Sequence, residues 1–342
     1  FFTNDVVGDL QGNYDRVWAA VASYFKDDPW VLGYDPFNEP TGGTSTVIHN
    51  APFDALLQCF YAGRADPGTV NEAGAEEGGS QSGAVGGKPP ACPPSDPAKG
   101  VIAAIEQADP NHLVFPETDI ASDGVPTYIG PMPYPRLVLN FHNYCVFRLN
   151  NGNVEPGESS NCALLEALTF TRRSAERGAD ATPEQPGGPA WFMSEFGATD
   201  SLGDLARVTA DADDDLIGWT YWMWKYYEDP TGSVNEALVA SNGQLLPKVS
   251  ILSRTYAQAV AGTPLSMSFD PNSGAFSLSY RPNDRIHAPT VVFVPVFEHY
   301  PHGYCPKVTG GRIVSKPGSE RLLVENLQGA SLVTVSVGEG PC

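Results

Sequence analysis

The chain has 342 residues, 42 % of them apolar, and a formal net charge of −20 from 40 Asp and Glu against 20 Lys and Arg. That balance excludes a nucleic-acid binder, which needs a basic stripe to displace counterions from phosphates. No stretch approaches the roughly 20 apolar residues of a membrane span, and the 35 Gly and 31 Pro mark a loop-rich chain whose plentiful aromatic residues still argue for a packed core.

In chain order, Val17, Val21, Tyr24 and Phe25 recur at spacings of three and four, which predicts an amphipathic helix over 13–25 capped by Asn13 or Asp15. Trp30 to Tyr34 is a short apolar run of the buried parallel-strand type, and it leads into Asp35-Pro36-Phe37-Asn38-Glu39-Pro40. Helices are expected from about Pro52 and over 98–107, then strands at 113–116 and 137–144. A helix over 163–177, a strand at 190–195, a helix around 205–212 and a strand at 217–222 follow. The last helix of this set is expected over 247–260, with Gly262 as its C-cap. Strands alternating with helices predict a parallel α/β architecture, a (β/α)8 TIM barrel, in which chemistry gathers past the C-terminal strand ends. Five such strands are present where a closed barrel needs eight. The first strands are therefore expected to precede Phe1, on the same precursor or on a separate chain.

Residues 63–91 are rich in Gly, Ala, Ser and Glu and read as a flexible insertion. From about Thr263 the period changes to two, with runs at 275–280, 290–296, 312–315, 321–325 and 331–337 separated by Pro, Asn and Gly. This predicts a C-terminal antiparallel β-sandwich over 263–342, after a catalytic portion over 1–262. The six cysteines fall in three local pairs, Cys59 with Cys92, Cys145 with Cys162 and Cys305 with Cys342, although other connectivities remain open. An even count without a zinc spacing favours disulfides and an oxidising, extracellular setting.

Two carboxylates stand at strand ends, Glu39 and Glu195. In a barrel both ends open on one face, and a facing pair about 5–5.5 Å apart defines a retaining glycosidase. Mutual repulsion then keeps one of them protonated as the acid. Glu117 and Asp119 follow the 113–116 strand and are rival carboxylates, expected to touch substrate or to be structural. His142 and Tyr144 are two apart on a strand and so share a face. For both Asn38 and Glu39 to reach a site, the strand end has to kink, and Pro40 fits such a break.

The motifs around these residues resemble glycoside hydrolase family 5. Asn38-Glu39-Pro40 is similar to its strand-4 signature, Phe141-His142-Asn143-Tyr144 to its strand-6 His-x-Tyr, Ser194-Glu195-Phe196-Gly197 to its strand-7 nucleophile, and Gly218-Trp219-Thr220-Tyr221-Trp222 to its strand-8 Trp. The resemblance implies that the chain holds strands 4 to 8, with Glu39 as acid/base and Glu195 as nucleophile. It further implies Asn38 on the 2-hydroxyl, His142 on sugar or acid/base, Tyr144 on the nucleophile and Trp222 as a sugar platform, with Lys225 as a weaker substrate contact. The Arg and His that the family draws from strands 2 and 3 have no match here. No metal or organic cofactor is implied.

Phe1-Phe2-Thr3-Asn4-Asp5, the Val31 to Asp35 approach, and the run Tyr256 to Pro264 resemble the endoglycoceramidase branch. That branch implies cleavage of the β-linkage between glycan and ceramide in glycosphingolipids. It also implies an apolar groove for ceramide, for which Pro131 to Tyr134, Val146-Phe147 and Tyr226-Tyr227 are candidates, and allows peripheral contact with a membrane surface. The alternatives are another family-5 β-glycosidase, exo-acting or cellulase-like, and a non-catalytic glycolipid-binding protein.

Overall fold

The computed structural model describes residues 9–40, 51–63, 100–119, 129–132, 134–145, 159–183, 185–225, 235–340 and 342. Apart from Gly63 the expected insertion lies outside them, as do Cys92 and the motif Phe1 to Asp5. The chain divides into two units, 1–143 with 168–194, and 144–167 with 195–342.

In the first unit, helix α1 (Leu10–Phe25) starts ahead of its expected cap. Asp9, at φ +50°, accepts the Gly12 amide at 3.1 Å and takes the capping role that the sequence suggested for Asn13 or Asp15. Strand β1 (Gly33–Tyr34) pairs in parallel with β2 (Leu113–Val114). Gly33 is required there, because a Cβ would lie 2.3 Å from the Leu113 carbonyl oxygen. Parallel bridges from Val114 to Leu137 and from Glu117 to Asn140 set β3 (Val138–Asn143) beside β2, and β4 (Ala190–Phe196) neighbours β3. Every residue of β3 is buried, as expected of a parallel strand covered on both faces.

Helices α2 (Ala51–Ala62) and α3 (Val101–Ala108) supply Leu57, Phe60, Tyr61, Ile102 and Ile105 to the core around Val114 and Leu137, against which Tyr14 and Trp18 of α1 pack. Each large apolar side chain so buried contributes roughly 1.5–3 kcal/mol. Helix α4 (Ser159–Ala179) carries a buried ion pair in this unit, Arg173 Nη1 to Glu176 Oε2 at 2.5 Å, and Arg173 also donates to Thr118.

In the second unit, helix α5 (Leu202–Asp214) is capped by Ser201, whose hydroxyl accepts the Asp204 amide at 3.3 Å, and β5 (Gly218–Trp219) follows. The helix expected over 247–260 is not formed. Helix α6 (Lys248–Leu252) stops after five residues, and β6 (Tyr256–Ala259) is a strand. Tertiary contacts override the local period. Arg254 is drawn into a buried ion pair with Asp213 and lies over the Phe269 ring at 5.0 Å, while Thr255 shares a hydrogen bond with Tyr300. Sandwich strands thus begin at Tyr256, ahead of the expected boundary at 262.

The sandwich adds β7 (Gly262–Asp270), β8 (Ala275–Pro282), β9 (Thr290–Phe293), a short helix α7 (Val296–His299), β10 (Tyr304–Thr309), β11 (Gly311–Ile313), β12 (Arg321–Asn326) and β13 (Val333–Glu339). They form two antiparallel four-stranded sheets, ordered β10-β13-β8-β7 and β11-β12-β9-β6. Phe276, Leu278, Tyr280, Val292, Leu322, Val324 and Val335 fill the core, because alternate residues of each strand face inward. Disulfides join Cys145 to Cys162 and Cys305 to Cys342. Cys59 is also disulfide-bonded. Among the described residues no helix is long and apolar enough to cross a membrane.

Burial raises several carboxyls of the first unit, Glu176 and Asp180 among them. Glu176 is pushed up to about 8, desolvation outweighing Arg173 and reinforced by Asp180 and Asp54, and Asp180 is pushed up to about 7 by burial and the charge of Asp54. A carboxyl raised on folding binds more protons in the native state between its unfolded and folded pKa values, so its stabilising protonation is lost as pH rises through the folded value. Thermal unfolding followed by circular dichroism is therefore expected to give a higher midpoint at pH 5 than at pH 8.5. Asp180→Asn should flatten that slope, and an unchanged slope in the variant would refute the assignment.

Candidate active site

The segment after β1 turns sharply at Glu39, whose φ of +47° lies in the left-handed region that non-glycine residues rarely enter. Such a residue costs about 1–3 kcal/mol and persists when its surroundings hold it. The holding group is Glu117, which follows β2 and is 2 % exposed. Its Oε2 accepts the Glu39 amide at 2.9 Å. Its Oε1 lies 3.2 Å from His142 Nε2, and His142 Nδ1 lies 2.8 Å from Glu39 Oε1. Glu39, Glu117 and His142 thus form a closed ring of three contacts. The backbone of Glu117 is fixed in turn by Tyr61 of α2, whose hydroxyl donates to the Glu117 carbonyl at 2.9 Å and accepts its amide at 3.1 Å.

Burial pushes the Glu117 carboxyl up to about 8, against the lowering effects of His142 and the Glu39 amide, while Asp35 and Glu39 add to the rise. Asn140 on β3 donates to Asp35 at 2.7 Å, tying the turn before Glu39 to the strand that carries His142. An imidazole against a half-exposed carboxyl, backed by a second carboxyl that burial keeps protonated, suits a general acid/base.

In the second unit, Glu195 ends β4 and its Oε2 accepts the Tyr144 hydroxyl at 3.0 Å. Cys145, next to Tyr144, is bonded to Cys162 on α4, which fixes the segment carrying that hydroxyl. After Glu195, Phe196 is wholly buried, edge-on to Trp219 and Tyr221 at 5.3 Å each. Gly197 at φ +108° and Ala198 at φ +52° then turn the chain, and Gly197 bridges Trp222 in parallel register. Trp222, Trp224 and Lys225 are exposed. The Glu195 carboxylate is oriented by a phenol, and the exposed indole of Trp222 lies on the segment that bridges Gly197.

The structure brings His142 onto Glu39 and Tyr144 onto Glu195, and leaves Asn38 exposed. Glu117, left open by the sequence between substrate contact and structure, is buried behind Glu39 instead of facing solvent. Its only sequence signal is its place past the end of a strand. Met132 is buried in the first unit's core and Tyr134 packs against it, so neither is free to line a lipid groove. The other groove candidates, Pro133, Val146-Phe147 and Tyr226-Tyr227, lie outside the described residues, and Pro131 is half-buried.

Parallel strands with acids at their ends are followed along the chain by an antiparallel sandwich. The model for cellulase (glycosyl hydrolase family 5) matches residues 3–228, and that for the glycoside hydrolase family 5 C-terminal domain matches residues 254–337. The chain belongs to glycoside hydrolase family 5. Endoglycoceramidase I of Rhodococcus hoagii (strain 103S) is 26 % identical over 340 residues, covering 98 % of this chain and 59 % of that protein. The chain thus spans about three-fifths of that relative's length.

Endo-glycoceramidase II from Rhodococcus sp. in complex with ganglioside GM3 has a TM-score of 0.70 at 21 % identity, covering 99 % of this chain and 66 % of that one. Its lactosyl-enzyme intermediate has a TM-score of 0.70 at 22 % identity, with the same coverage of 99 % and 66 %. The fold is therefore that of these enzymes, a TIM-barrel portion followed by a domain of antiparallel sheets.

The turn after Glu195 gives a direct test. A Cβ at Gly197 would lie 2.6 Å from Cε2 of Tyr221, at a φ that L-residues avoid. Gly197→Ala should destabilise the protein by about 1–3 kcal/mol, read as a lower denaturant midpoint. An unchanged midpoint would show that the turn is not constrained.

Proposed function

We propose that the protein is a retaining glycoside hydrolase that cleaves the β-glycosidic bond between oligosaccharide and ceramide in glycosphingolipids. The observation that carries this reading is the pair of supported carboxyls, Glu39 held by His142 and Glu117, and Glu195 held by Tyr144, in a chain whose relatives are endoglycoceramidases. Glu39 is assigned the acid/base role and Glu195 the nucleophile. In the first step Glu195 attacks the anomeric carbon while Glu39 protonates the departing ceramide oxygen. In the second, Glu39 takes a proton from water, and the water displaces Glu195. This double displacement asks for carboxyls roughly 5–5.5 Å apart. That a related enzyme was captured as a lactosyl-enzyme intermediate supports a covalent route.

The Tyr144 hydroxyl orients Glu195 and stabilises its charge before attack. His142 steadies Glu39. Trp222, with its face exposed, is assigned to stacking on a pyranose, Asn38 to the 2-hydroxyl, and Lys225 to a neighbouring hydroxyl. A barrel needs eight strands, so the activity is assigned to the complete protein, with N-terminal strands supplied on the same precursor or a separate chain. The disulfides support an extracellular setting, with glycolipid reached at a membrane surface.

The test is product analysis by thin-layer chromatography with gangliosides as substrate. Wild type should release intact oligosaccharide and ceramide. Glu195→Gln should abolish release, and Glu39→Gln should slow it by roughly 10²–10⁴-fold. Stepwise single sugars would contradict the endo reading, and hydrolysis surviving in Glu195→Gln would remove the nucleophile assignment.

A further inference from the structure

We propose that Glu117 is the positioning residue of the acid/base, fixing the Glu39 backbone with one carboxyl oxygen and the Glu39 side chain, by way of His142, with the other. This rests on the reading of Glu39 as acid/base and adds a residue to it. The geometry is a ring in which each member constrains the next: Glu39 amide to Glu117 Oε2 at 2.9 Å, Glu117 Oε1 to His142 Nε2 at 3.2 Å, and His142 Nδ1 to Glu39 Oε1 at 2.8 Å. Glu117 is too buried to touch substrate. Its peptide is clamped by Tyr61 on both sides, so its carboxyl is a fixed point against which a left-handed Glu39 is set.

Proton counting assigns the donors. The two imidazole contacts need one proton each. Among the described residues, the groups facing Glu117 are the carboxylates of Asp35 and Glu39, the imidazole of His142, and the Tyr61 hydroxyl, which is committed to the Glu117 peptide. With two acids and no arginine or lysine among these groups, a neutral buried Glu117 is favoured over a buried carboxylate beside an imidazolium. Nδ1–H then donates to Glu39 Oε1, and the protonated Glu117 carboxyl stands 3.2 Å from Nε2. The other oxygen of Glu39 is left to carry the catalytic proton. When that proton passes from Glu39 to the leaving oxygen, the new carboxylate already holds the Nδ1–H bond, and the protons on His142 and Glu117 stay where they are.

The experiment compares two substrates of the complete protein. Lactosylceramide has a poor leaving group and needs an acid, whereas lactosyl fluoride needs little protonation of its leaving group. Glu117→Ala should lower kcat on lactosylceramide by about 10- to 100-fold, the effect of leaving buried polar partners unsatisfied, with KM unchanged and lactosyl fluoride turnover nearly intact. Glu117→Gln should restore most of the loss, because its amide oxygen still accepts from Glu39 and its NH2 still donates to Nε2. If the Ala variant fails to fold, Glu117→Asp, one methylene shorter, withdraws the carboxyl from both contacts and is read the same way. Equal losses on both substrates, no loss on either, or a Gln variant no better than Ala would overturn the proposal. Glu39→Ala is run alongside. If it too fails to discriminate between the substrates, the acid/base assignment falls, and if it discriminates while the Glu117 variants do not, only this inference falls.

Discussion

The hydrogen bond from the Glu39 amide to the buried Glu117 carboxyl ties the turn after β1 to the segment after β2. It accompanies a left-handed Glu39 whose carboxyl lies against His142. The bond forms because β2 and its continuation run in parallel register with β1 on one side and β3 on the other, so that residues from all three meet past their C-terminal ends. The cost is a carboxyl taken out of water. It is offset by the Glu39 amide on one oxygen and the His142 ring beside the other, and burial keeps the group neutral more readily than a surface acid.

The second unit solves the corresponding problem for Glu195 differently. There the carboxylate accepts from a phenol, and the next residue, Phe196, is wedged between Trp219 and Tyr221. The disulfide at Cys145 restrains the segment that carries Tyr144. One carboxyl is thus supported by a buried acid and an imidazole, the other by a hydroxyl and a covalent tether. Two carboxyls with unlike environments are what a division into proton donor and nucleophile requires.

Much of this was legible in the sequence because strand ends concentrate polar residues after short apolar runs. Asn38-Glu39-Pro40, His142 with Tyr144, and Glu195 with Gly197 all stand at such ends. Glu117 stands at one too, but its burial depends on Tyr61, which lies 56 residues earlier on α2, and no local pattern encodes that meeting. The start of α1 was misplaced because Asp9 caps from a left-handed conformation. The stretch 247–260 has a helical period, yet the Arg254–Asp213 pair and the pairing of β6 with β9 decide otherwise. Strands β7 and β10 escaped notice because Pro264 and Pro306 interrupt runs that otherwise alternate.

The central claim, a double displacement through Glu195, is tested most directly by trapping. Incubation with a 2-deoxy-2-fluoro-lactosyl fluoride, which slows the second step more than the first, followed by proteolysis and mass spectrometry, should place a single fluorolactosyl adduct on the peptide containing Glu195. An adduct on another carboxylate, or full turnover with an inverted anomer and no adduct, would contradict the account.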